Sequence, residues 1–362
     1  MEKTSKNKSK GELLNILFMI VSFILALNLY NMFRYFGLEE MDKVPEIPIS
    51  FSEVTFNAFF GGIIVGSILG ILDNILNRRN IRQKSFGVIL GLKTFSFLLT
   101  FFLTISVVFL TTHTLLNNEP FQQAFSELLK FYTEKTFYAI LVYGFVVIFF
   151  INLVKLMNRK MGPGILLKFI TGRYHSPREE ERIFMFLDLK SSTTIAEKTG
   201  HFKFSRLIQD CFNDLTDIVK NYNAEIYQYV GDEAVITWQL GDGLKNDNCI
   251  HFYFAYKRQL LKRKEYYENN YGLLPQFKAG INCGKVTVAE VGEVKTEIAY
   301  HGDVLNTSAR IQSMCNEFGK ELLISEYLKD EMNLNGFQIG DMGEIMLKGK
   351  LKPVTIYSVE QK

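Results

Sequence analysis

The sequence predicts two folds in series: an α-helical membrane domain of four spans, then an α+β domain built on one mixed, mainly antiparallel sheet. Three observations carry this expectation. Four apolar runs of membrane-crossing length fall within residues 1–157. The C-terminal half instead alternates short β-rich runs with amphipathic helical patterns. Between them lies Gly162-Pro163-Gly164, a short apolar piece and a charge run, the composition of a linker. The expected units are therefore 1–157, a juxtamembrane linker 158–182, and 183–362.

Composition narrows the classes. A hydrophobic content of 48% with 32 Phe is high for a wholly soluble chain. The net charge of +3 argues against nucleic acid as a partner. Cys211, Cys249, Cys283 and Cys315 are far apart and form no CxxC pair, which points to free thiols in a reducing compartment. The five histidines, His113, His175, His201, His251 and His301, show no ligand spacing along the chain.

The first apolar run, Leu13 to about Phe33, follows a polar basic tail. It is too long for a signal-peptide core and has no small-residue cleavage site. Val54–Leu76, an overlong Phe86–Leu116, and Thr136–Met157 supply the other three spans. Lys and Arg concentrate in the tail, at Arg78, Arg79, Arg82 and Lys84, and after the fourth span, whereas the other two loops are acidic. The positive-inside rule then puts both termini in the cytoplasm, and an even number of spans requires them on one side. Gly62, Gly66 and Gly70 recur every four residues, a spacing that lets two helices approach closely, within one subunit or across a dimer. Asp73 and Lys93 fall inside apolar runs near the cytoplasmic ends, where snorkelling to the interface is the expected accommodation.

In the C-terminal half, Ile183 to Leu187 reads as a strand buried on both faces, with Asp188 where it leaves the core. The Ser191-Ser192-Thr193 run then precedes a helical pattern from Ile195, so hydroxyl caps and an anion-binding helix start are expected. Helical periodicity continues to 221, and two β-rich runs, Glu225–Val230 and Glu233–Trp238, flank the turn pair Gly231-Asp232. A helix over 249–270, strands at Phe277–Ala289 and Ile298–Tyr300, a helix over Val304–Phe318, and strands at Leu322–Ile324, Phe337–Met346 and Pro353–Val359 complete the domain.

Alone, Asp188 could simply end a strand and Asp232 could simply make a turn. A helical connection returning the chain beside the first strand would instead bring both to one sheet edge, where they repel unless cations lie between them. Glu233 would alternate to the other face, which makes it the weaker ligand candidate. Asn306 and Arg310, four apart, share a helix face that could donate to developing phosphate charge. Lys348 sits in a Leu-Lys-Gly-Lys loop that could meet a polyphosphate.

In order, Phe-Leu-Asp188-Leu-Lys-Ser-Ser-Thr, Tyr-Val-Gly231-Asp232, Gly302-Asp303-Val-Leu-Asn306-Thr-Ser-Ala-Arg310 and Leu-Lys348-Gly resemble the class III adenylyl/guanylyl cyclase catalytic domain over roughly 183–359. The whole chain looks like bacterial cyclases with a membrane-spanning N-terminal module, which implies a multi-pass protein of the cell (inner) membrane. The resemblance implies two Mg²⁺ or Mn²⁺ ions held by Asp188, Asp232 and the Leu189 carbonyl. It implies a triphosphate received at Ser192 and Thr193, and a transition state supported by Asn306 and Arg310, with Lys348 on phosphate. It also implies a homodimer in which one subunit supplies the aspartates and the other supplies Asn306, Arg310 and Lys348. At the base-reading positions this chain departs from the family. Gln228 stands where adenylyl cyclases usually carry Lys and guanylyl cyclases Glu, and Ala299 stands where a hydrogen-bonding side chain or Cys is usual. Gln can pair with an adenine edge or turn its amide to guanine. The expected reaction is ATP to cyclic AMP and pyrophosphate, with the GTP reaction, or a silent cyclase-like signalling module, as alternatives.

Overall fold

The computed structural model describes residues 2–36, 51–77, 84–116, 118–162, 164–347 and 352–362, and the chain divides into two compact units at 161/162. In the N-terminal unit, α1 (Glu2–Phe36), α2 (Phe51–Leu76), α3 (Phe86–Thr111, ending in a π-helical turn at Thr112–Leu116), the short α4 (Phe121–Phe131) and α5 (Lys135–Met161) follow one another. Four stretches are long and apolar enough to cross a membrane: Gly11–Phe33, Thr55–Leu76, Phe86–Leu115 and Lys135–Met161. Most of their large apolar side chains face outward, as lipid-facing helices require. The loop before the fourth span is itself helical, with Ala124 and Leu128 of α4 turned inward.

The glycine row settles on α1 of the same chain. A Cβ on Gly66 would lie 2.5 Å from the Ile20 Cα, and one on Gly62 2.7 Å from the Ile24 Cα. The snorkelling expectation fails for Asp73 and Lys93. Asp73 is fully buried and accepts hydrogen bonds from Lys93 Nζ (2.6 Å), Asn15 Nδ2 (3.0 Å) and Lys155 Nζ, so residues of all four spans meet on one carboxylate. Inside apolar surroundings, satisfying the charges on one another costs less than leaving each to find water alone.

The C-terminal unit opens with α6 (Ile165–Ile170) and β1 (Arg178–Leu189). There follow α7 (Ser192–Thr199), α8 (His201–Asn221), the hairpin β2 (Glu225–Val230) and β3 (Glu233–Gln239), and a short α9 (Leu240–Leu244). Next come α10 (Asn248–Lys262), α11 (Lys264–Tyr271), β4 (Phe277–Val291), β5 (Glu297–His301) and α12 (Asp303–Met314). β6 (Leu322–Ser325), α13 (Glu326–Asp330), β7 (Phe337–Ile345) and β8 (Val354–Gln361) end the unit. The sheet runs β2-β3-β1-β4-β6-β8-β7, with β5 paired to β4; only β4–β6 is parallel. β1 begins at Arg178, inside the stretch read as linker, because charged residues there still pair with β4 while Arg182 turns into the core. The helix expected over 195–221 is broken at Gly200 (φ +77°), and the one over 249–270 at Arg263.

Alternation along β1 divides the interior. Ile183, Met185 and Leu187 face the larger core beneath α8 and α10, while Phe184 and Phe186 face a smaller core that also takes in Tyr174, Val286, Tyr300 and Val304. Asp188 continues the second series, so it emerges on the face that carries α12.

Candidate active site

Asp188 is the penultimate residue of β1, directly opposite Glu233 on β3 and Lys278 on β4. Cross-strand partners share a face, so all three side chains converge. Lys278 Nζ lies 3.2 Å from Asp188 Oδ2, and Gln312 Nε2 of α12 donates to the same oxygen at 3.0 Å. Asp232 follows Gly231 (φ +62°) in the tight turn between β2 and β3, near enough for its charge to act on the Asp188 carboxyl. The expected convergence of Asp188 and Asp232 at one sheet edge is therefore what this hairpin builds.

The electrostatics follow. Burial, then the Asp232 charge, pushes the Asp188 carboxyl above its usual range, against the pull of Lys278. Burial, with Asp188 and Asp232 adding to it, pushes Glu233 up to about 7. The expectation that Glu233 faces away is overturned. The strand starts at Glu233 itself and Asp232 belongs to the turn, so the period-2 alternation has to be counted from Glu233. Lys278 and Gln312 carried no local signal in the sequence, because register and helix docking place them from far along the chain.

The phosphate-side expectations divide. α7 starts at Ser192, immediately after Leu189-Lys190-Ser191, and the first intrahelical bond runs from Ile195 N to Ser191 O at 3.0 Å. The amides of Ser192 and Thr193 thus belong to the free first turn. No hydroxyl caps it. Ser191 sits at φ +58°, whereas a capping side chain needs an extended backbone to reach the amides. Asn306 is exposed and Arg310 half-buried on α12, away from the side that delivers Gln312 to Asp188. Gln228 is exposed on β2 beside a bulge. Ala299 lies on β5 opposite Ala289, and the neighbouring rings of Tyr227 and Tyr300 meet edge-on with centroids 4.9 Å apart. Lys348 falls outside the described residues.

A family model described as the adenylate and guanylate cyclase catalytic domain matches residues 175–361, just over half the chain. The chain belongs to this family. Adenylate cyclase 2 of Rhizobium meliloti (strain 1021) is 33% identical over 200 residues, which cover 55% of this chain and 55% of that protein. A receptor-type guanylate cyclase of Caenorhabditis elegans is 23% identical over 208 residues, 54% of this chain and 17% of its own length. The matches thus span about half or less of these relatives. A solved bacterial light-regulated adenylyl cyclase shares the fold, with a TM-score of 0.54 at 18% identity over 64% of this chain and 68% of that one.

The acidic group of the cyclase unit fits a divalent cation. Asp232 Oδ2 is buried and has no hydrogen-bond partner, an orphan acceptor that a native interior rarely leaves unexplained. Asp188, Asp232 and Glu233 lie near enough for their charges to act on one another, with Lys278 paired to Asp188, and hard oxygen donors of this kind suit Mg²⁺ or Mn²⁺.

Proposed function

We propose that the protein is a membrane-bound nucleotide cyclase that converts ATP to cyclic AMP and pyrophosphate at a site shared between two copies of the chain. The observation that carries this reading is the meeting of Asp188 and Asp232 at one sheet edge, with an orphan carboxylate oxygen between neighbouring strands. Two Mg²⁺ or Mn²⁺ ions held by Asp188, Asp232 and the Leu189 carbonyl would lower the pKa of the ribose 3′-hydroxyl and neutralise phosphate charge. The chain's own groups position the rest. First-turn amides at Ser192 and Thr193 receive the terminal phosphates. Asn306 and Arg310 donate to the oxygens of the α-phosphorus as the 3′-oxygen attacks in line, and Lys348 binds the polyphosphate. Lys278 and Gln312 hold one Asp188 oxygen in place and leave the other for coordination.

Dimerisation is supported by the two faces of α12. The face with Gln312 serves the chain's own Asp188, so Asn306 and Arg310 point elsewhere and need aspartates from a second copy. The likeness to an adenylate cyclase at 33% identity supports ATP. Gln228, whose amide can present either hydrogen-bonding sense, keeps GTP as the second reading. The basic flanks of the apolar runs support a topology with both termini in the cytoplasm. Turnover of ATP and GTP in parallel by the purified full chain, with Mg²⁺ and with Mn²⁺, tests the proposal. Cyclic AMP as the main product supports it, cyclic GMP selects the second reading, and silence with both nucleotides in a dimeric sample overturns it.

A further inference from the structure

At the end of the helix bundle remote from Met161, three side chains that ligate metals converge without having been assigned a role. His113 lies in the π-helical turn that finishes α3, Glu119 just before Pro120, and Glu127 on α4. His113 Nδ1 is 2.8 Å from Glu119 Oε2 and 3.1 Å from Glu127 Oε2. All three donor atoms lie within 4.8 Å of one another, the one group of this kind among the described residues. Sequence spacing conceals it, because the π-turn and the fold-back of α4 make the set.

The imidazole is held for this contact. Its ring stacks on Phe109 with centroids 4.3 Å apart at 18°, and the Glu119 amide donates to the His113 carbonyl at 3.0 Å. A single Nδ1–H serves one carboxylate well, not two. Among the described residues no lysine or arginine forms an ion pair with either glutamate. Among the described residues, two anions therefore share a site with no permanent cation. We propose that His113, Glu119 and Glu127 bind a borderline divalent transition-metal ion of the Zn²⁺ class. One imidazole and two carboxylates form a mixed nitrogen-oxygen set that favours such an ion over Mg²⁺ or Ca²⁺, and three ligands leave the fourth tetrahedral position to water. Ligand distances of about 2.0–2.2 Å put tetrahedral donors roughly 3.3 Å apart, so the two contacts of His113 with the glutamates have to open by only a few tenths of an ångström. Bound metal would tie the end of α3 to α4 and to the segment leading into the last span. The proposal stands apart from the cyclase reading, since it uses none of that site's residues.

The test is Zn²⁺ titration of the metal-stripped full chain in detergent, against a fluorescent chelator and with excess Mg²⁺ present. One Zn²⁺ per chain is expected, and it should persist in the Asp188→Asn/Asp232→Asn double variant. Glu127→Gln, Glu119→Gln and His113→Ala should each weaken it by more than about tenfold. Should the histidine variant fail to fold, Co²⁺ bound to the unmutated chain decides, through the visible d–d absorption of a tetrahedral nitrogen-oxygen site. Absence of that band overturns the proposal, as does Zn²⁺ binding that is lost with Asp188 and Asp232 but unmoved by Glu127→Gln.

Discussion

Asp188 and Asp232 put opposing demands on the cyclase unit: the proposed coordination would need both carboxylates, while the metal-free fold is burdened by holding them together. Asp188→Asn or Asp232→Asn should therefore cost at least about a hundredfold in kcat, and raise the metal-free unfolding midpoint at neutral pH by relieving the repulsion. Trp238 is the chain's one tryptophan and lies buried on β3 with its Nε1 on the Tyr222 carbonyl at 3.0 Å, so its emission reports this unit's unfolding alone. A midpoint that falls in both variants would contradict the strain argument. Glu180 behaves in the opposite sense. Burial alone would raise it, but hydrogen bonds from the Tyr174 hydroxyl, Arg182 and Gln239 outweigh burial and hold it down at about 2, from 4.5. A lowered folded-state value gives stability that is complete above about 4.5 and is lost as the pH falls toward 2. Glu180→Gln should remove that acid-side slope and destabilise the unit by about 2 kcal/mol at neutral pH, since Arg182 is fully buried and loses its nearest counter-charge. Denaturant midpoints from pH 3 to 7, read by Trp238, check both statements.

At the level of elements, the docking of α12 on β4 sets the site. Gly280 faces that helix, and a Cβ there would lie 2.2 Å from the Gln312 backbone nitrogen. Gly280→Ala should push α12 off the sheet, costing about 2 kcal/mol of stability through overpacking. Activity should fall further than stability accounts for, because Gln312, Asn306 and Arg310 all move with the helix; turnover compared with the Trp238 midpoint separates the two effects. The sheet and the spans were legible because their signals are local. Runs of about 20 apolar residues, five consecutive apolar positions in β1, and a Gly-Asp turn between β-rich runs each fix an element within its own few residues. What stayed hidden depends on register. Glu233 opposite Asp188, Lys278 beside it, Arg182 in the interior and Asp73 paired with Lys93 and Lys155 all arise from residues brought together from distant parts of the sequence. The missing serine cap is a subtler failure, since composition marks a helix start without revealing that Ser191 adopts a left-handed backbone.

At the scale of the whole molecule, the two faces of one helix argue for a working unit of two chains. At 3.6 residues per turn, Gln312 lies about 200° around α12 from Arg310 and about 240° from Asn306. One face is spent on the chain's own Asp188, and the other is available for the proposed site shared with a second copy. A two-fold dimer would repeat the arrangement and give two equivalent sites. Neither Asp188→Ala nor Arg310→Ala homodimers should then turn over nucleotide. In a co-expressed equal mixture, half the dimers are mixed, and each has one site with both halves intact and one with both damaged. Activity should return to roughly a quarter of the unmutated level, while two aspartate variants mixed together stay silent because both damage the same half. Initial rates on co-purified mixtures, with the dimer fraction measured on the same samples, read this directly. If Arg310→Ala chains fail to rescue Asp188→Ala chains in dimers that demonstrably form, Asn306 and Arg310 must serve their own chain, and the outer face of α12 must have some other use.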